Sequence, residues 1–317
     1  MQGDFFLTTW FLEAMRWVHS SIGDIFLTIL ICTVVLRLLT VFSDIKTRKS
    51  SAALAAIQPE IDKIQKKYKD NPQKAQAEQA KLMKKEGVSM WSSCLPLLIT
   101  MPLFFCFIAA FRFWGYEMTI KLLADENPVE VLKSFKFLWI NNIWQPDNGF
   151  SPVIAEASTF LNEALKPTLD KLIFLKDNTA VWDKLVSLGV AAKDAQGVYG
   201  FLTTPEAQAS FDAIMAPLKE VYAGHNNGWF IFPLLAGGAN LASALITMKS
   251  QPKNPNGKQS GKMMMYLMPI MSFVFCLSYN AAFSIYWTIS SICMIISNLI
   301  LNKKFPRPGT PSKEENK

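Results

Sequence analysis

Residues Ile22 to Lys49, IGDIFLTILICTVVLRLLTVFSDIKTRK, decide how the rest of the chain is read. The apolar part is close to the 20 or so residues that a helix needs to cross a bilayer. It carries one charge, Arg37, before breaking into a basic segment beyond Ser43. A guanidinium stays protonated in a protein, and placing one at mid-helix in lipid costs about 2.5 to 3.5 kcal/mol on insertion scales. Two arrangements meet that cost. Arg37 lies six residues before Ser43, about 9 Å along a helix, so its head can snorkel to the interface. Alternatively it faces a wet cavity and awaits an anionic group. Thr33, Arg37 and Thr40 follow one another by four and three residues and so share a helix face.

Four further apolar runs follow, at about Cys94 to Trp114, Trp229 to Met248, Met263 to Tyr279 and Ala282 to Leu301. With half of the 317 residues apolar and a mean hydropathy of +0.19, the chain is too apolar for an ordinary soluble domain and too charged to lie wholly in lipid. Charge sets the expected orientation. Ser43 to Trp91 holds 11 Lys and Arg, Lys249 to Lys262 holds 4 and no acid, and the tail after Leu301 holds 5. Gly115 to Gly228 has 9 basic against 14 acidic residues. The positive-inside rule then places the N-terminus outside and the C-terminus in the cytoplasm. The net charge of +7 belongs to the cytoplasmic face and does not signify direct nucleic-acid recognition. Cys32, Cys94, Cys106, Cys276 and Cys293 all sit in or at the ends of apolar runs, which makes them buried hydrophobes rather than a disulfide framework or metal site.

The expected fold class is an all-α polytopic membrane protein: five transmembrane helices, a cytoplasmic helical hairpin and an exterior, helical insertion. Residues 1–21 form an exterior amphipathic segment, with Leu7, Phe11, Ala14 and Val18 on its apolar face and Trp10 and Trp17 as interfacial anchors. Without a basic n-region it does not read as a secretory signal. The spans are placed at 22–42, 92–114, 229–248, 263–279 and 280–301, the hairpin at 43–91, the insertion at 115–228, a cytoplasmic loop at 249–262 and a basic tail at 302–317. The hairpin turns at Asp70-Asn71-Pro72, where Asn71 caps and Pro72 opens the second helix. Ile57, Ile61, Ile64 and Tyr68 face Ala75, Leu82 and Met83 across a narrow seam, so the hairpin is expected to open easily. Its Lys63, Lys66, Lys67, Lys84 and Lys85 are candidate docking residues.

Polar stripes recur in the other spans. Asn240, Ser243 and Thr247 align on one face of the third, and Ser284, Thr288 and Ser291 on one face of the fifth, with Asn298 close to that line. These stripes either converge with Arg37 on one wet groove or pack helices together through small polar residues. The loop residues Gly257 to Met263 have the flavour of a phosphate-binding loop but miss its spacing, its Ser or Thr and its preceding strand. His19 and His225 have no evident acid-base partner. The chain is therefore not expected to be an enzyme, and no cofactor or metal is expected.

Several segments together resemble the Oxa/Alb/YidC family of membrane protein insertases, in its bacterial YidC branch. They are Leu36-Arg37, Ile57-Gln58-Pro59-Glu60-Ile61, Lys66-Lys67-Tyr68-Lys69, the run Cys94 to Pro102, Phe137-Leu138-Trp139-Ile140 with Pro146-Asp147, Met263 through Pro269, and Tyr286-Trp287 with Ser290. Departures occur where Thr100 replaces a usual glutamine, Asn280 to Phe283 replaces a Pro-Ala-Gly-Leu turn, and Ser291 and Ser297 stand for asparagine and glutamine. The likeness implies a bacterial plasma-membrane insertase and chaperone with a hydrophilic groove, working without ATP. Its groove residues would be Arg37, Thr33, Thr40, Thr100, Asn240, Ser243, Thr247, Ser284, Thr288 and Ser291. Its partners would be nascent membrane proteins and the lipid bilayer, with the ribosome, the signal recognition particle pathway and the Sec translocon as further candidates. Two rival readings are an anion channel or transporter using Arg37, and an assembly factor acting through the 115–228 segment.

Overall fold

The computed structural model describes residues 6–87, 95–163, 178–249 and 260–304, which are mostly helical. In order, the elements are α1 (Phe6–Ile22), α2 (Ile25–Lys67), α3 (Pro72–Lys85), α4 (Leu95–Ala124), α5 (Pro128–Lys133), α6 (Ala157–Glu163), α7 (Thr179–Ser187), β1 (Ala191–Lys193), β2 (Tyr199–Phe201), α8 (Pro205–Val221), α9 (Ile231–Lys249), α10 (Ser260–Ser278) and α11 (Ala281–Lys304). Among the described residues three helical stretches are long and apolar enough to cross a membrane: Ile25–Lys46, Pro102–Ala124 and Ala281–Leu301. Two shorter apolar stretches are Ile231–Thr247 and Tyr266–Ser278. The loop at 250–259, most of the basic tail and Ser92-Ser93-Cys94 lie outside the described residues.

The chain divides into two compact units, one of Met1–Cys32, Phe104–Leu235 and Phe273–Trp287, the other of Thr33–Leu103, Ala236–Ser272 and Thr288–Lys317. The first is built on rings. Phe104 meets Phe275 and Trp287 at centroid distances of 5.3 and 5.0 Å, and Phe107 meets Phe11 at 4.4 Å and Tyr286 at 5.1 Å. Helix boundaries here follow their local chemistry. Gly23, at φ +75°, closes α1 by donating to His19 O, and Asp24 Oδ1 then accepts from Leu27 N at 2.7 Å to open α2. Asn280 does the same for α11, accepting from Phe283 N at 3.0 Å while its amide donates to Phe111 O at 2.9 Å.

Several elements differ from the sequence expectation. The buried side of α1 is Thr8, Phe11, Leu12 and Met15, not the line through Leu7, Ala14 and Val18. The face is turned because Arg16 reaches Glu117 of α4, its Nε donating to Oε2 at 3.0 Å, and the ring of Phe11 seats on Phe107. Trp10 and Trp17 remain largely exposed. Helix α4 runs ten residues past Trp114, because Met118, Ile120, Leu122 and Leu123 keep burying side chains and Glu117 has Arg16 as its counter-ion. Nor does a separate first helix open the hairpin: α2 continues unbroken from the apolar run through Pro59 to Lys67.

Within the same unit, the described residues of the 115–228 segment contain four helices beyond α4 and one antiparallel hairpin, β1–β2, pairing Ala191 with Phe201. The sequence reading expected helices there and did not anticipate the strands. Their turn is made by Asp194, whose Oδ1 accepts from Gln196 N and Val198 N, and by Gly197 at φ +83°. The buried side chains of this part include Phe160, Leu161, Trp182, Leu185, Phe211, Met215 and Leu218. Its two ends meet in a bridge between Pro152 and Asn226.

In the second unit, Asn71 Oδ1 accepts from Lys74 N at 3.1 Å with Pro72 at the first helical position, and α3 ends before Gly87 at φ +66°. The hairpin seam is thin: Ile57, Ile61 and Met83 are buried together, with Leu82 packed against them.

Candidate functional site

The second unit gathers the polar side chains of α2, α9 and α11. Arg37 is half-buried, and its Nε donates to Ser290 Oγ at 2.7 Å. That bond engages the guanidinium sideways with a neighbouring helix. Among the described residues no carboxylate pairs with Arg37, and its two amino groups have no hydrogen-bond acceptor. Thr40 Oγ1 donates to Arg37 O at 3.0 Å, so one member of the α2 stripe is turned back on its own helix. Thr33, one turn the other way, is buried.

The stripes of α9 and α11 are joined to each other. Asn240 Nδ2 donates to Ser291 Oγ at 3.0 Å and to Ala236 O at 3.1 Å, and Asn298 Nδ2 donates to Ser243 Oγ at 3.2 Å. Ser243, Thr288 and Ser291 are buried, whereas Thr247 is half-buried. The bonds from Asn240 to Ser291 and from Asn298 to Ser243 join α9 to α11 through small polar groups, each worth about 1 kcal/mol in a membrane.

One of the ten groove candidates falls elsewhere. Ser284 belongs to the first unit, fully buried, and donates to Cys276 O at 3.0 Å, tying α11 to α10. Thr100 lies on α4, but its side chain is outside the described residues. Conversely, the partner of Arg37 was missed. Spacing from Ser284 and Thr288 leads to Ser291, yet neighbours on a helix point about 100° apart. Ser290 therefore faces α2 while Ser291 faces α9. The signal was present in the Ser290-Ser291 pair, which offers a hydroxyl to each of two neighbouring helices. The docking lysines, Lys63, Lys66, Lys67, Lys84 and Lys85, are all exposed, and Lys67 and Lys74 lie over the Tyr68 ring at 5.4 and 5.2 Å.

Apolar helices of spanning length around an arginine held by a serine hydroxyl define the chain as an integral helical membrane protein with a charged site among its apolar helices. The sequence model of the family described as 60Kd inner membrane protein matches residues 17–190 and 195–308, and the chain belongs to that family, the Oxa/Alb/YidC family of its motifs. A relative from Clostridium perfringens named "Membrane protein insertase YidC" is 35% identical over 169 residues, half of this chain and 65% of the relative. One of the same name from Chlorobium luteolum is 29% identical over 172 residues, covering 50% of this chain and 27% of the relative. A third, from Clostridium tetani, is 34% identical over 119 residues, covering 38% of this chain and 47% of the relative. The matched region thus spans about a quarter to two thirds of the length of these relatives.

Proposed function

We propose that this protein is a membrane protein insertase and chaperone, in which Arg37 receives the polar segment of a client whose apolar helix then passes into lipid. The observation that carries the reading is the state of Arg37. Its Nε is fixed on Ser290, while its two amino groups have no partner among the described residues. A charge held in one position but left unneutralised suits transient pairing with an acidic client segment, because a fully paired arginine gives the client nothing to bind. Thr33, Thr40, Asn240, Ser243, Thr247, Thr288 and Ser291 keep the surroundings polar. Burial of the client's apolar helix, at about 25 cal/mol per Å², supplies the driving force, so no ATP is needed.

The topology proposed with it has five spans. The two shorter apolar helices complete three of spanning length, the N-terminus lies outside, and the C-terminus lies in the cytoplasm by the distribution of basic residues. The hairpin lysines, with the basic loop and tail, are the docking face for a ribosome, a targeting complex or the Sec translocon. Photo-crosslinking from position 37 to a stalled nascent single-span protein in native membranes tests the site. Crosslinks from 37, absent from position 284 and lost when the client's span is made polar, are the expected result. Crosslinks from 37 to lipid alone would overturn the reading and leave the arginine as a packing residue.

A further inference from the structure

Helix α9, Ile231–Lys249, has 19 residues, about 28 Å of helix, at the short end of what crosses a hydrocarbon layer of about 30 Å. What precedes it is not helix, and irregular backbone is excluded from lipid unless its N–H and C=O groups are satisfied within the protein. Here they are. Asp147 has no exposure, and its two oxygens accept from Trp229 N at 2.8 Å and Phe232 N at 2.7 Å, with Trp139 Nε1 at 3.4 Å. Asn227, equally buried, donates to the carbonyls of Asn142, Gln145 and Pro146 and accepts from Asn142 N. Phe137 and Ile140 exchange both of their backbone hydrogen bonds at 2.9 Å. A Cβ at Gly228 would lie 2.0 Å from Asp147 Oδ1, so the packing of this loop on the carboxylate has no slack.

From this loop, large apolar side chains point outwards. Leu138 is 62% exposed, Phe150 87% and Trp229 71%, although Phe137 and Trp139 on either side of Leu138 pack on Phe232 at 6.2 and 4.8 Å. Leu138 and Phe230 hold φ of 52° and 64°, a region that such residues rarely occupy and that persists only where the surroundings impose it. The loop is continuous with surface that already faces lipid in this reading. Phe137 stacks at 4.3 Å on Phe26, in the first turn of α2, and Leu234 and Leu235 in the first turns of α9 are exposed.

We infer that Leu138, Phe150 and Trp229 form a lipid-inserted collar at the outer end of α9, which extends its short apolar surface into the outer leaflet. The occupant is the acyl and headgroup boundary of the bilayer, where tryptophan and other large apolar side chains are favoured. Asp147 and Asn227 serve the collar by satisfying its backbone, which lets a non-helical segment sit at that depth. This inference rests on α9 spanning the membrane and not on the insertase reading.

The test is a nitroxide attached in turn at Leu138→Cys, Phe150→Cys and Trp229→Cys in the full chain, reconstituted in phosphatidylcholine and phosphatidylglycerol vesicles. Leu234→Cys is the lipid reference. Val198→Cys and Val221→Cys, both 61% exposed in the 115–228 segment, are the aqueous references, and signal from the native cysteines is subtracted using the unmodified chain. The collar positions are expected to relax with oxygen in preference to a water-soluble nickel chelate, by about tenfold relative to the aqueous references. Nickel access equal to that at 198 would overturn the collar. Exclusion of both reagents would also overturn it, by showing protein rather than lipid over the patch. Nickel access at 234 as well would remove its premise, that α9 crosses the bilayer.

Discussion

At the scale of single residues, the chain invests its polar chemistry in two places of different character. Around Arg37 the guanidinium is anchored on Ser290 through Nε, and its other two nitrogens have no acceptor among the described residues. If it recruits clients by charge, Arg37→Ala should reduce insertion of substrates with acidic outer segments about tenfold and leave neutral ones within twofold, measured by protease protection of newly made clients. Equal insertion of both classes would show that the arginine is not the recruiting charge. Around Asp147 both carboxylate oxygens accept hydrogen bonds, and Gly228 packs against them without room for a side chain. Gly228→Ala places a methyl group 2.9 Å from the Asp147 Cα and closer still to its carboxylate. Overpacking of that kind costs about 2 to 3 kcal/mol. The variant should unfold several degrees lower in a thermal scan in mild detergent, whereas an alanine at Gly200, where added volume meets nothing within 4 Å, should not.

At the scale of elements, two helices are held lightly enough for their attachment to be measured. The α2–α3 hairpin closes on a small cluster of Ile57, Ile61, Met83 and Leu82. Ile61→Ala removes the middle of that seam at a cost of about 2 kcal/mol. Limited proteolysis between 57 and 87 should accelerate more than tenfold, with cleavage elsewhere unchanged, since local opening is limited by the local apolar contact. Helix α1 is docked by Phe11, Met15 and the Arg16–Glu117 pair, with His19 against Trp114 at a ring distance of 5.5 Å. Partial burial first, and then the charge of Lys121, hold the His19 imidazole below its ordinary value, against a smaller opposite pull from Asp24. A base with a depressed folded pKa binds fewer protons folded than free. The docking of α1 is therefore complete above about pH 6.5 and weakens as pH falls below it. The ring is only partly buried, which keeps the effect small. Hydrogen exchange of α1 amides should rise between pH 7 and 5.5 relative to the core of α4 after correction for intrinsic exchange, and His19→Gln should abolish that rise.

At the scale of the molecule, Pro152 and Asn226 form a bridging stem at the base of the part from Glu156 to Gly224, which also meets α4 where the Tyr116 and Phe160 rings lie 6.0 Å apart. A shortened chain in which Glu156 to Gly224 are replaced by three glycines keeps the stem, Asp147 and Asn227. It should remain resistant to alkaline extraction from membranes and keep its Arg37 crosslinks to a client. Loss of membrane integration would show that the distal part of the segment supports the spans, and loss of the crosslinks alone would assign it a role in client capture.

The amino-acid sequence by itself determined what depends on composition and short spacing. The apolar runs around 25–42, 281–301 and their companions, the basic segment after Ser43, the Asn71-Pro72 helix start and the apolar seam of the hairpin are all local properties. A helix period or a capping side chain acts over a few residues whatever the rest of the chain does. The family was legible for the same reason, through short motifs from Leu36-Arg37 to Tyr286-Trp287. Tertiary structure alone decided which side of each helix meets which neighbour. It turned α1 to bring Arg16 onto Glu117, carried α4 to Ala124, gave Arg37 to Ser290 rather than Ser291 and set Ser284 apart on Cys276. It also bound Asp147 to amides more than eighty residues away. Those pairings join positions distant in the chain, and helical spacing fixes a residue's angle about its own axis but not the helix that stands opposite.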